Sequence, residues 1–139
     1  MITSPQQKNR VQANIDSLNA RLEAPAKPGV PPHLLAVEAA QINEDIALLE
    51  AEIEEYDAAC CTPLHDYTFS NYQDFLKFPI VIRLARDMSQ QAFADYVGIS
   101  LSQLKRYEAH EYQNASTQVV NTVLERFQLN YQGKVSEVG

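Results

Sequence analysis

"MSQQAFADYVGISLSQLKRYE", Met88 to Glu108, decides how the second half of the chain folds. Ser89 stands ahead of the helical run "QQAFADYV", where a serine oxygen can accept from a backbone N–H that the first turn leaves unpaired. Gly98 ends that run with the left-handed backbone freedom that a helix C-terminus favours. Ser100 then caps a second run, "LSQLKRYE". Phe93, Ala94 and Val97 share one face of the first helix, and Leu104 and Tyr107 share one face of the second. Ala94 is small where the two must cross closely.

Upstream, Pro79 sits where a first helical turn tolerates proline, ahead of "IVIRLARDM". Ser70 followed by Gln73 reads as a capping box opening a short helix. Downstream, "STQVVNTVLERFQLN" gives a helix that closes the core through Val119, Val120, Val123, Leu124 and Phe127. The tail 132–139 is expected to fray. Between residues 60 and 74, "CCTPLHDYTFSNYQD" forms a connector in which Pro63 breaks the preceding helix and Tyr67, Phe69 and Tyr72 supply groups to bury. Cys60, Cys61 and His65 lack a second ligand pair, so no metal or other cofactor is expected and an ordinary thiol pair is the reading. Adjacent cysteines do not easily reach relaxed disulfide geometry.

Residues 1–59 read as an antiparallel helical hairpin. Val11, Ile15, Leu18 and Leu22 step by four, three and four along one helix face. "APAKPGVPP", Ala24 to Pro32, stops that helix because prolines remove backbone donors. Leu35, Ile42, Ile46, Leu49, Ile53 and Tyr56 then follow heptad spacing, with the glutamates mostly outside the seam. An isolated hairpin is marginal in water, and its second helix outruns the first by roughly two turns. Part of the seam therefore needs another partner, either a second copy of the arm or the chain's own C-terminal domain.

The formal charge of −7 is unevenly spread. Residues 1–74 hold four Lys/Arg against twelve Asp/Glu, and residues 75–139 hold seven against six. Two modules with different work are implied. A hydrophobic fraction of 45% suits a globular protein. The opening "MITSPQQKNR" has no apolar core of signal-peptide length, and no apolar run approaches bilayer-spanning length. A cytoplasmic protein without a membrane partner is expected.

Two helices around a glycine turn, with the outer face of the second left open, have the layout of a helix-turn-helix unit, whose second helix can enter a major groove. Over about Ile80 to Leu129 the sequence resembles the Cro/phage-repressor (XRE) family. "SQQAFADYVGIS" resembles the family's Ser/Thr-Gln opening with its alanine and glycine. "LSQLKRYEAHEYQNAS" resembles its recognition helix, the glutamate that follows and the loop to the next helix. The hairpin resembles a bacterial subgroup in which an acidic helical arm precedes such a domain and "QRYE"-like residues end the recognition helix. The resemblance implies an all-α chain with a five-helix domain over 75–131 that binds double-stranded operator DNA as a homodimer.

It also implies roles for individual residues. Gln90 matches the glutamine that bonds a phosphate and braces the recognition helix. Leu101, Ser102, Lys105 and Arg106 match the positions that meet base edges. Arg106 can donate two parallel bonds to guanine O6 and N7, Lys105 suits a phosphate, and Leu101 offers a thymine methyl apolar contact. That leucine stands where a polar reader is common. Arg83 and Glu108 match a buried structural ion pair. Ser100, Gln91, Tyr112, Gln113 and Asn114 are further candidates for backbone contacts, ordinary loop polarity being the alternative for the last three and for Gln91. Helix N-termini near Ser89 and Ser116 can assist with phosphate.

Enzyme chemistry is not expected, since no glycine-rich phosphate loop, histidine pair on a helix or nucleophile elbow occurs. The leading expectation is a sequence-specific transcriptional regulator of repressor type. An antitoxin that represses its own operon while holding a toxin protein is a form of it that the resemblance implies. The alternative is a protein-interaction module that works through the acidic coiled coil and keeps the helix-turn-helix as scaffold.

Overall fold

The computed structural model describes residues 1–137, so the last two residues of the expected frayed tail, 132–139, lie outside the described residues. The described residues contain α-helices, one 3-10 turn and no strand, in agreement with an all-α chain. They form two compact units, residues 1–62 and residues 63–137.

In the first unit α1 spans Pro5–Glu23 and α2 spans Pro32–Cys61. Ser4 caps α1 by accepting from the Gln7 N–H, and prolines occupy the first turns of both helices, where a missing donor costs nothing. The two helices pack on Ile15, Ile42 and Ile46, with Val11, Leu18, Leu22, Leu49 and Ile53 flanking them. These are residues of the two apolar stripes, so the hairpin forms as their spacing requires. Tyr56 is buried and lies under the ammonium of Lys8, 5.9 Å from its ring centroid. Lys8–Asp57 and Arg21–Glu38 ion pairs, at 2.7 and 3.2 Å, join α1 to α2 near opposite ends. Being exposed, they contribute little to stability but favour this pairing of the helices. With 30 residues against 19, α2 outruns α1 by about three turns. Cys60 and Cys61 are free and exposed, and partial desolvation pushes the Cys60 thiol up, the reverse of what an activated nucleophile needs.

The second unit begins with the 3-10 turn Leu64–Asp66 and continues through α3 (Tyr72–Leu76), α4 (Phe78–Ala85), α5 (Gln90–Val97), α6 (Leu101–Ala109) and α7 (Thr117–Arg126). One correction concerns the start of α3. Asn71, not Ser70, is its cap: the Asn71 carboxamide accepts from the Asp74 N–H at 2.8 Å. Asparagine caps as well as serine, and the helix starts one residue later than a Ser70–Gln73 box requires. The connector aromatics are used, with Tyr67 stacked on Phe78 at 4.9 Å and Phe69 against Phe75 at 5.0 Å.

Burial of α4 is nearly complete from Phe78 to Leu84, which makes it the central post of this unit. Around it, Phe93, Ala94, Leu104, Val120, Val123 and Leu124 fill the core. Gly98, at φ +83°, turns the chain from α5 to α6, and the N–H groups of Gly98 and Ile99 both return to the Ala94 carbonyl. On the far side of α5, the Tyr96 hydroxyl donates to the Arg126 carbonyl at 3.0 Å, and Arg126 Nε donates to the Tyr96 carbonyl at 2.8 Å. This reciprocal clasp fixes α7 on α5. No helix of the described residues is long and apolar enough to cross a membrane.

Candidate nucleic-acid interface

The site is built around α6. Ser100 Oγ accepts from the Gln103 N–H while Gln103 Oε1 accepts from the Ser100 N–H, each at 3.2 Å. This reciprocal capping box fixes where α6 begins. Its sequence signal is the serine-to-glutamine spacing of three, visible in "SLSQ". Leu104 is fully buried on the inner face, and Tyr107 stacks on Tyr112 at 5.6 Å between ring centroids.

The C-terminal half of α6 is held by its glutamate. Arg83 on α4 donates from Nε to Glu108 Oε2 at 2.7 Å and from Nη2 to Oε1 at 2.8 Å. Gln90, at the start of α5, donates from Nε2 to the same Oε1 at 2.9 Å. Arg83 Nη1 also donates to the Met88 carbonyl at 3.1 Å. Three helices and the turn between two of them are thereby tied to one carboxylate. Both charged groups are buried, so each depends on the other to offset its lost hydration. The bidentate fork restricts how α6 can rotate about its axis.

That restriction places Ser102, Lys105 and Arg106 on the solvent side of α6, all three exposed. Ser102 and Arg106 lie one turn apart, with Lys105 beside them. Neither cation takes part in an ion pair among the described residues. Leu101, at the first position of α6, is half-buried and presents only part of its side chain. Ser100 is exposed, but its hydroxyl is engaged as the helix cap. Gln91 is exposed and donates to Asp95 at 2.9 Å. Gln113 and Asn114 are exposed in the loop before α7. Gln90 is half-buried and its amide nitrogen donates to Glu108.

Tyr112 does not belong with these. It has no exposed surface, and its hydroxyl is buried without a hydrogen-bond partner, so it cannot reach a nucleic-acid backbone. The cause is local backbone geometry. Glu111 and Tyr112 both take left-handed conformations, φ 52° and 62°, and the Tyr112 N–H returns to the Tyr107 carbonyl at 2.7 Å. The chain therefore folds the ring back under α6. Such positions are rare for residues other than glycine, and nothing in "HEYQN" announces them.

No group of three or more His, Cys, Asp or Glu side chains among the described residues is arranged to hold a metal ion. Residues 81–132 match the helix-turn-helix family model, a span that runs from within α4 past the end of α7. Neither the curated proteins nor the solved structures include a match to the chain. The compact α5–Gly98–α6 crossing and the family match agree: over residues 81–132 the chain carries a helix-turn-helix domain of the XRE type, a DNA-binding unit of the kind that serves transcriptional regulation.

Proposed function

We propose that the chain is a sequence-specific regulator of transcription that represses by occupying an operator as two copies, each placing α6 in one major groove. The observation that carries this reading is the outward row of Ser102, Lys105 and Arg106 on a helix whose rotation is fixed from inside by Arg83 and Glu108. A B-form major groove admits one α-helix, and a guanidinium held there can pair with both acceptors of a guanine. Arg106 takes that role, Ser102 bonds a neighbouring base edge or phosphate, and Lys105 meets a phosphate as a point charge. Leu101 supplies apolar contact at the helix start. Ser100, Gln91, Gln113 and Asn114 line the edges where a phosphate backbone passes, and Gln90 keeps one amide group between Glu108 and that backbone.

Charge explains why two copies are needed. Residues 75–139 carry seven Lys/Arg against six Asp/Glu. Of the seven, Arg83 is locked to Glu108, Lys77 lies 3.7 Å from Glu111, and Arg126 is clasped to Tyr96. Few cations remain to displace counterions, and the salt dependence of binding scales with the number of phosphates neutralised, about −0.9 in log–log slope per contact. One domain alone binds weakly. Linking two half-sites through one molecule makes the second contact effectively intramolecular.

Selection of duplexes from a random pool by the full-length protein tests this. The expected result is an enriched inverted repeat whose half-sites lie about one helical turn apart. No enrichment, with stable protein complexes recovered instead, would transfer the function to the acidic arm as a protein-interaction module.

A further inference from the structure

The hairpin leaves α2 with a second apolar seam. Ile42, Ile46, Leu49 and Ile53 face α1. At about 100° per residue, Leu34, Val37, Gln41, Glu44, Leu48 and Ala51 form a separate stripe roughly 140° around the helix. Their spacing of three, four, three, four and three is that of alternating a and d positions of a heptad. All six are exposed, and the three large apolar members strongly so: Leu34 at 50%, Val37 at 65% and Leu48 at 64%. Leu34 and Val37 lie one turn apart and Leu48 stands about 16 Å further along the same face, each with apolar surface that a partner can remove from water.

The charges of α2 select the occupant's orientation. The helix holds eight Asp/Glu and no Lys/Arg, and seven of the eight lie between Glu44 and Asp57. A second copy packed in parallel would stack the seven against seven. Packed antiparallel, each crowded half lies beside a half whose one acid, Glu38, is already paired with Arg21 at 3.2 Å. The loop residue Lys27 then comes alongside the acidic end of the other copy.

The side chains agree with this orientation. In an antiparallel seam a positions meet d positions, and a two-fold axis between Ile42 and Asn43 pairs Leu34 with Ala51, Val37 with Leu48 and Gln41 with Glu44, each twice. Apolar layers thus fall at both ends and amide–carboxylate layers at the centre. Gln41 gives one N–H of its Nε2 to Asp45 at 3.0 Å and carries a second that can donate to Glu44 of the other copy. A polar central layer of this kind fixes register at some expense of stability. We infer that the Leu34–Val37–Leu48 face of α2 docks antiparallel on the same face of a second copy of this chain, with Val37 against Leu48. The inference rests on the two-copy mode of DNA binding proposed above and assigns the surface that creates it.

Disulfide trapping of the full-length protein tests the register, using a background in which Cys60 and Cys61 are replaced by serine. Val37→Cys and Leu48→Cys variants should each fail to cross-link alone, because like positions are about 16 Å apart along the axis. Mixed together, the two should form a covalent heterodimer. In sedimentation equilibrium, Val37→Ser with Leu48→Ser should weaken association by about a hundredfold or more while the helical circular dichroism is kept. Wild-type association should strengthen as salt rises, since screening relieves the repulsion between two chains that each carry a net charge of −7. Cross-linking of Leu48→Cys with itself, a monomer at all concentrations up to about 100 µM, or a dimer indifferent to the serine changes would each overturn the inference. So would capture of a basic protein on this face, in a complex that salt weakens and the serine changes abolish. If the seam fails but wild-type protein still selects an inverted repeat, only the seam is wrong. If cross-links form and no duplex is enriched, the DNA reading falls while the seam stands.

Discussion

Arg83 and Glu108, 25 residues apart in sequence, face each other across the domain interior through two parallel hydrogen bonds of 2.7 and 2.8 Å. The pair couples the central post α4 to the end of α6, and Gln90 adds a third donor to the same carboxylate. Removing one partner strands a buried charge. Glu108→Ala should therefore cost about 3–5 kcal/mol of unfolding free energy. Arg83→Met combined with Glu108→Leu should recover much of that, because the second change removes the stranded group. Urea denaturation of the single and double variants measures the difference. If the double variant is no better than Glu108→Ala, the ion pair is not what positions α6.

Gly98 makes a separate prediction. Its φ of +83° lies in the left-handed region, and nothing stands within 4 Å of where a Cβ would be built. Only backbone conformation opposes a side chain there. Gly98→Ala should cost about 1–2 kcal/mol, and Gly98→Asn less, since asparagine tolerates this region better. Thermal unfolding of the two variants gives the order. Equal losses would mean that the turn adapts.

These two positions also show how far the sequence could be read. Gly98 and the caps Ser89, Ser100 and Ser116 were legible because each satisfies a local rule about unpaired N–H groups or backbone freedom. The α1–α2 stripes were legible from spacing alone. Asn71 was missed since Ser70 beside it is chemically equivalent as a cap, and only the backbone decides between them. The burial of Tyr112 was not legible because consecutive left-handed residues at Glu111 and Tyr112 leave no composition signal. The second seam on α2 was hidden by its polar members Gln41 and Glu44, which break the apolar pattern that reveals the first.

Tyr112 offers a test by titration. Burial, followed by the nearby Glu108 carboxylate, pushes its hydroxyl well above the ordinary tyrosine range. Above about pH 10 the unfolded chain loses this proton while the folded chain keeps it, so stability falls as pH rises. Tyr112→Phe removes both that linkage and an unsatisfied buried oxygen. Near neutral pH it should be neutral or stabilising by up to about 1 kcal/mol, and its stability should decline less steeply in alkali. Substantial destabilisation at neutral pH would show that the hydroxyl has a partner.

A fragment covering 63–139 contains α3 to α7 with the ion pair and the Tyr96–Arg126 clasp intact. It should remain folded by circular dichroism yet lose most affinity for the inverted repeat that the whole chain selects. Undiminished affinity would remove the arm from DNA binding.

Most direct is a comparison of Arg106→Ala and Lys105→Ala on duplexes in which each base of the selected half-site is changed in turn, at several salt concentrations. If α6 reads the major groove as proposed, Arg106→Ala should cost about 1–3 kcal/mol and relax preference at one guanine position only, whereas Lys105→Ala should weaken all duplexes alike and lower the salt slope by about one. Uniform weakening by Arg106→Ala, with every base preference intact, would contradict it.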